Sequence, residues 1–133
     1  MTSYIHLSST DNVDIFPNNV GNDFTCMLPN SLNNTTDDYE MALCYIQGQL
    51  PVAYNVFCDV IEQNVIKGQT LPVLRHVLSK RDFPDLQFIK VAVPRVNRIQ
   101  IFLTDLNLKP LKLSGSVRCT ICLRPIKRIG KSC

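Results

Sequence analysis

A chain of 133 residues, 45% hydrophobic and 19% charged with mean hydropathy near zero, is the size of one domain with one core, and its composition excludes both a disordered tail and a protein built of membrane helices. No apolar run approaches the roughly 18 residues needed to cross a bilayer as a helix. Formal charge is only +3, yet residues 1–66 carry eight acids and no Lys or Arg, whereas residues 67–133 carry all fourteen basic residues against three acids, a split of −8 and +11.

Residues 1–20 read as an N-terminal arm or long loop, marked by turn residues at Asp11-Asn12 and Pro17-Asn18-Asn19, with Gly21 just beyond. The first six residues have neither a basic nor an apolar leader region, so the expectation is a mature start in a reducing compartment, with the six cysteines as free thiols. Asp23 to Leu28 is a weak strand candidate. Asp38 to Ile46 alternates, with Tyr39, Met41, Leu43 and Tyr45 on one face and Glu40, Ala42, Cys44 and Ile46 on the other. Further weak strands follow at Asn55 to Val60, Gln63 to Lys67, Leu71 to Val77 and Leu86 to Val93. Over Thr70 to Lys80 the spacing of Leu71, Leu74 and Leu78 also suits a helix, against Pro72 and the β-branched neighbours. Asn97 to Thr104 sets Ile99, Ile101 and Leu103 opposite Arg98, Gln100 and Thr104. Ser116 to Arg124 sets Val117, Cys119, Ile121 and Leu123 inward and Arg118, Thr120, Cys122 and Arg124 outward. About eight antiparallel strands separated by turn residues predict an all-β sandwich or barrel over residues 21–125, followed by a basic tail, residues 126–133.

Motifs that carry chemistry are few. Cys119-Thr120-Ile121-Cys122 has CxxC spacing, but on a strand residues three apart point to opposite faces, so the two sulfurs are expected to be packing thiols rather than metal ligands. His6 and His76 lack any nucleophile or acid–base signature around them, and the five glycines are scattered, so neither an enzyme nor a cofactor is expected. Asn33-Asn34-Thr35-Thr36 holds two overlapping glycosylation sequons that read as an exposed polar loop. The tail residues Lys127, Arg128 and Lys131 suit phosphate contact, which needs only positive charge, although no aromatic residues interleave with them.

Two longer stretches carry a resemblance. Phe24-Thr25-Cys26-Met27-Leu28-Pro29 followed by Tyr39-Glu40-Met41-Ala42-Leu43-Cys44-Tyr45-Ile46 is similar to the "F-x-x-x-L-P … W/Y-E-V-A-L-x-x-I" opening of the minor capsid (penton) proteins of Polinton/Maverick elements and adintovirus-like DNA viruses. Val96 to Asp105, then Pro110, then Gly115 to Arg124, resembles that family's "I-x-I/V-Y-L-T-D-x-x-G-x-P … G-x-V-x-C-T-L-x-F-R" close, and Leu71-Pro72-Val73-Leu74-Arg75 resembles a central "LPVLR" stretch. The chain is short for the family, and Leu106, Asn107, Leu108 and Lys109 replace the glycine and acidic positions of its "TDxxGxP" turn.

The resemblance implies a single jelly roll of eight strands, B to I, with sheets B-I-D-G and C-H-E-F. Each neighbouring pair would then join a strand of the acidic half to one of the basic half, turning segregation along the chain into alternation in space. It also implies a penton-like vertex subunit that forms a homo-oligomer, a pentamer, and contacts the major capsid protein. Ile15 and Phe16 in the arm and Asp37 and Asp38 in the acidic loop are the expected interface residues. The expected setting is the virion, assembled in the nucleus or cytoplasm, without membrane contact. The rival reading is an intracellular β-sandwich that uses its basic C-terminal half on nucleic acid.

Overall fold

In the computed structural model, which describes residues 3–33, 38–78, 83 and 85–126, the apolar alternation of the sequence is realised as two antiparallel sheets with a shared core between them. The strands are β1 (Ser3–Ser8), β2 (Asp23–Asn33), β3 (Tyr39–Gln47), β4 (Ala53–Cys58), β5 (Asn64–Ile66), β6 (Gln69–Leu71), β7 (Val73–Leu78), β8 (Ile89–Lys90), β9 (Arg95–Thr104) and β10 (Arg118–Pro125). No helix occurs among the described residues, and so none that is long and apolar enough to cross a membrane. One four-stranded sheet has the order β1-β10-β3-β8, the other β2-β9-β4-β7, and β5-β6 is a separate hairpin.

Every one of these pairings joins a strand from residues 1–66 to a strand from residues 67–133. The opposite charges of the two halves meet directly at Glu40, whose neighbours across the ladder are Arg124 on β10 and Lys90 on β8. Arg124 Nε donates to Glu40 Oε1 at 2.7 Å while the same guanidinium lies 3.5 Å above the Phe88 ring.

The inward faces of β9 (Ile99, Ile101, Leu103) and β10 (Cys119, Ile121, Leu123) are buried, as their alternation predicts, whereas Val96 is buried out of phase with them, where the register against β2 shifts. β3 departs from strict alternation. Its register against β10 shifts between Thr120 and Ile121, which face Tyr45 and Leu43, so Cys44 is an extra, bulged residue. Beyond the bulge the facing reverses: Ile46 turns inward and is buried, and Tyr45, expected on the Met41 face, is 39% exposed.

The N-terminal segment also differs from expectation. Within residues 1–20, Ser3–Ser8 is no arm but an edge strand, pairing with β10 from Ser3↔Leu123 to Ser8↔Arg118, with Leu7 in the core. It alternates as a half-buried strand does, Ile5 and Leu7 inward, Tyr4 and His6 outward. Ser9 then extends the contact: its N–H donates to the Val117 carbonyl at 2.9 Å and its Oγ accepts from the Val117 N–H at 3.0 Å. The rest of the segment, up to Val20, runs along the edge of β2. Asn19 pairs with both backbone groups of Thr25 at 2.9 Å, and Asn12 Oδ1 accepts from the Met27 N–H at 3.0 Å. Side-chain amides thus occupy donors and acceptors that a neighbouring strand would otherwise use.

Thr70 to Lys80, ambiguous with a helix, is strand as far as Leu78, split into β6 and β7 at Pro72. The β5–β6 connection is the two-residue turn Lys67-Gly68, both with positive φ (49° and 75°), the conformation that matches hairpin twist. Leu86 to Val93 contributes only the two residues of β8.

Because β1 belongs to the core sheet, Leu7→Ala is expected to destabilise the fold by about 2–4 kcal/mol, read from the denaturant midpoint. A separable arm would leave that midpoint unchanged.

Candidate functional site

The outward face of the β2-β9-β4-β7 sheet carries side chains that the core does not use. Alternation along β9 sends Gln100, Phe102 and Thr104 to this face, where β2 adds Asp23 and Thr25 and β4 adds Phe57. β4 ends at Cys58, directly before Asp59, and the chain then leaves to build the β5–β6 hairpin, which returns through Gln69, Leu71 and Pro72 as a wall beside the sheet. The resulting groove has a volume of about 430 Å³, and Leu108 also lines it.

Gln100 organises its floor. Its side-chain Nε2 donates to Asp23 Oδ1 at 2.8 Å, and its backbone N–H donates to Asp59 Oδ1 at 2.9 Å, while the Asp59 N–H donates back to the Gln100 carbonyl at 3.2 Å. Beside this pair of carboxylates Phe57 and Phe102 pack with ring centroids 6.1 Å apart and planes tilted by 39°. A second hollow of about 300 Å³ adjoins the first through Asp23 and Gln100 and is walled by residues 15–19, Ile15 and Phe16 among them. Among the described residues no Lys, Arg or His lines either hollow.

Desolvation by the groove walls raises the Asp59 carboxyl above its ordinary value, opposed by the hydrogen bond from the Gln100 N–H and by the charge of Arg98. A raised carboxyl binds its proton more tightly in the folded than in the unfolded chain, so this group lowers stability as pH rises through its titration.

Leu108 owes its position to an unusual backbone. Asp105 Oδ1 accepts from the N–H groups of Asn107 at 2.8 Å and Lys109 at 3.0 Å, tying a turn in which Leu108 takes φ of 65°. That region is normally left to glycine because a Cβ crowds the backbone there.

The other chemical candidates lie apart from the groove. His6 Nδ1 is 3.0 Å from Thr120 Oγ1, and His76 Nδ1 is 2.6 Å from Asn55 Oδ1. Cys26, Cys58 and Cys119 are buried between the sheets, Cys119 inward and Cys122 on the opposite face of β10, so the CxxC sulfurs diverge as strand geometry predicts. Burial pushes the Cys58 thiol up to about 12 and the Cys119 thiol further still. Among the described residues no group of three or more His, Cys, Asp or Glu is arranged to hold a metal ion.

Of the residues singled out from sequence, Ile15 is exposed and Phe16 half-buried, both on the wall of the second hollow beside the groove. Asp38 is elsewhere, beyond the opposite end of β2, where its carbonyl accepts from the Ile126 N–H at 2.8 Å. Asp37, Lys127, Arg128 and Lys131 lie outside the described residues. Sequence reasoning passed over Asp23, Asp59, Phe57 and Phe102. The outward pattern Gln100-x-Phe102-x-Thr104 was the available signal for the floor, but nothing local links it to acids tens of residues away.

Comparison with protein-family models, curated proteins and solved structures yields no match to this chain.

Asp59→Asn retains the acceptor for Gln100 while removing the desolvated charge. It is expected to raise stability at pH 7 by no more than about 1 kcal/mol, since water screens an open groove wall, with the gain disappearing on acidification below the Asp59 titration. Thermal melts of both proteins across pH check this. In thiol labelling at pH 8, Cys58 and Cys119 are expected to react only when the protein is unfolded by denaturant.

Proposed function

We propose that this chain is a non-enzymatic structural protein, a small jelly-roll capsid subunit of the penton type, whose work is done by the surfaces through which it assembles. The observation that carries this reading is the connectivity. With the hairpin β5–β6 set aside, the remaining eight strands taken in chain order as B to I give β1-β10-β3-β8 the order B-I-D-G and β2-β9-β4-β7 the order C-H-E-F, the arrangement of a jelly roll. The turn after β9 supports the resemblance as well: Leu108 stands where the penton-type "TDxxGxP" turn has glycine, and it adopts the left-handed backbone that glycine would supply.

A ring of five needs a heterologous contact, one patch meeting a different patch on the next copy. The flank formed by residues 13–20 and β2 offers one such patch, exposing Val13, Ile15, Val20 and Met27 beside Asp11 and Asp14. Scattered exposed apolar residues are ordinary, but four on one flank suit a partner surface. The other partner would be the major capsid protein, and the site of action the virion.

The native mass of the full chain, measured over a concentration series with electron micrographs of the product, tests this. Rings of five copies are the expected result. A monomer at every concentration overturns it, and a monomer that binds DNA with an affinity falling steeply with salt transfers the case to the nucleic-acid reading, because phosphate binding releases counterions.

A further inference from the structure

We propose that the groove over Gln100 binds a linear aliphatic polyamine, a small molecule with an ammonium group at each end of an apolar chain; this goes beyond the assembly reading and does not rest on it. The strand register sets out the site. Asp23 on β2 stands opposite Phe102 on β9, and Phe57 on β4 stands opposite Phe102 from the other side. Asp59 follows two residues after Phe57, where its N–H donates to the Gln100 carbonyl. The two carboxylates therefore flank β9 on opposite sides, with Gln100 and the Phe102 ring between them, Phe57 beside Asp59, and Leu71 of the hairpin as an apolar wall. Neighbouring strands lie about 4.8 Å apart, which sets β2 and β4 about 10 Å from one another across the floor.

Charge and size select the occupant. Both carboxylates give one oxygen to Gln100, and neither enters a salt bridge among the described residues. No Lys, Arg or His lines the groove among those residues, and Arg98 acts on Asp59 from outside the lining. Two such anions on either side of an aromatic ring call for two cations joined by an apolar link. Ammonium groups form charge-assisted hydrogen bonds to carboxylates, and the face of an aromatic ring attracts the same groups. A divalent metal ion suits the site poorly, because it gathers six or more oxygen ligands around one point. Here the carboxylates stand on opposite sides of a strand, and no group of three or more metal-binding side chains occurs among the described residues. A volume of about 430 Å³ is that of a small-molecule site, lined by apolar walls with a few placed polar groups. In a chain of formal charge +3, diffuse attraction works against a polycation, so the binding must come from this local pair of acids.

Calorimetric titration of the full chain with spermidine at physiological salt tests the proposal, with n-butylamine and magnesium chloride as comparison ligands. One spermidine per chain is expected, bound at least tenfold more tightly than butylamine, which can meet only one carboxylate. Asp23→Asn and Asp59→Asn keep an oxygen for Gln100, and each is expected to weaken spermidine at least tenfold. Phe102→Leu, which keeps apolar volume but removes the ring, is expected to weaken it severalfold. Amide chemical-shift mapping on the unsubstituted protein needs no variant to fold, and it is expected to place the largest changes at Asp59, Gln100 and Phe102. Five outcomes overturn the proposal: no spermidine binding, butylamine binding as tightly, magnesium displacing spermidine at equal concentration, shift changes confined to another surface, or binding indifferent to the loss of both carboxylates in a variant whose thermal melt shows it folded.

Discussion

Neither half of this chain can make a sheet alone. In both sheets, and in the small hairpin, each strand from the first 66 residues has its hydrogen-bonding partners in the last 67. The two halves must therefore wind together before either buries an apolar face, and the topology forces contacts between residues distant in sequence. β1 lies against β10, Ser3 opposite Leu123, so the first described residues complete a sheet that needs the end of the chain. Loop closure on that scale is entropically costly and slow, as in other antiparallel sandwiches.

The same winding explains the charge. Eight acids in one half and fourteen cations in the other would give two strongly polarised surfaces if the halves were separate lobes. Interleaved, strands of the two halves alternate in each sheet, and among the described residues Glu40 has charges of the other half, Arg124 and Lys90, directly across from it, neighbours worth a few tenths to about 1 kcal/mol each. Among the described residues Glu40 closes into an ion pair with Arg124, while Arg75 finds its carboxylate in its own half, at Asp85. The alternation acts mainly by avoiding like-charge neighbours. It also leaves places where local balance fails, and the groove over Gln100, with two carboxylates and no lining cation, is one of them.

How much of this was legible in the sequence depends on range. β10, and β9 from Ile99 onward, declare their inward faces because one side of each meets the core and period two is sufficient, while Val96 is buried out of phase beyond a register shift. β3 misleads from Cys44 onward, since a bulge inserts a residue without a local composition signal and reverses the facing of Tyr45 and Ile46. β1 hides because four of its six side chains are not buried, as befits an edge strand, and because its pairing partner lies more than a hundred residues away. The groove is less legible still. Asp23, Asp59 and Gln100 meet only through the ladder contacts of β2 and β4 with β9, so the sequence shows them as unrelated charges and one amide.

The β2 edge of the β2-β9-β4-β7 sheet is occupied by side-chain amides, and this bears on how copies can meet. Along β2, Asn12 and Asn19 engage the backbone of Met27 and Thr25, so that edge is closed to strand addition over those residues. What the flank still presents is side-chain surface, Val13, Ile15 and Met27, rather than backbone. Contacts there must be made by shape, apolar area and charge, which fix a partner's angle through packing and not through a continuing ladder. A continuing ladder would tend to propagate twist from copy to copy, whereas a side-chain contact leaves the angle between neighbours free to be set by the ring that closes.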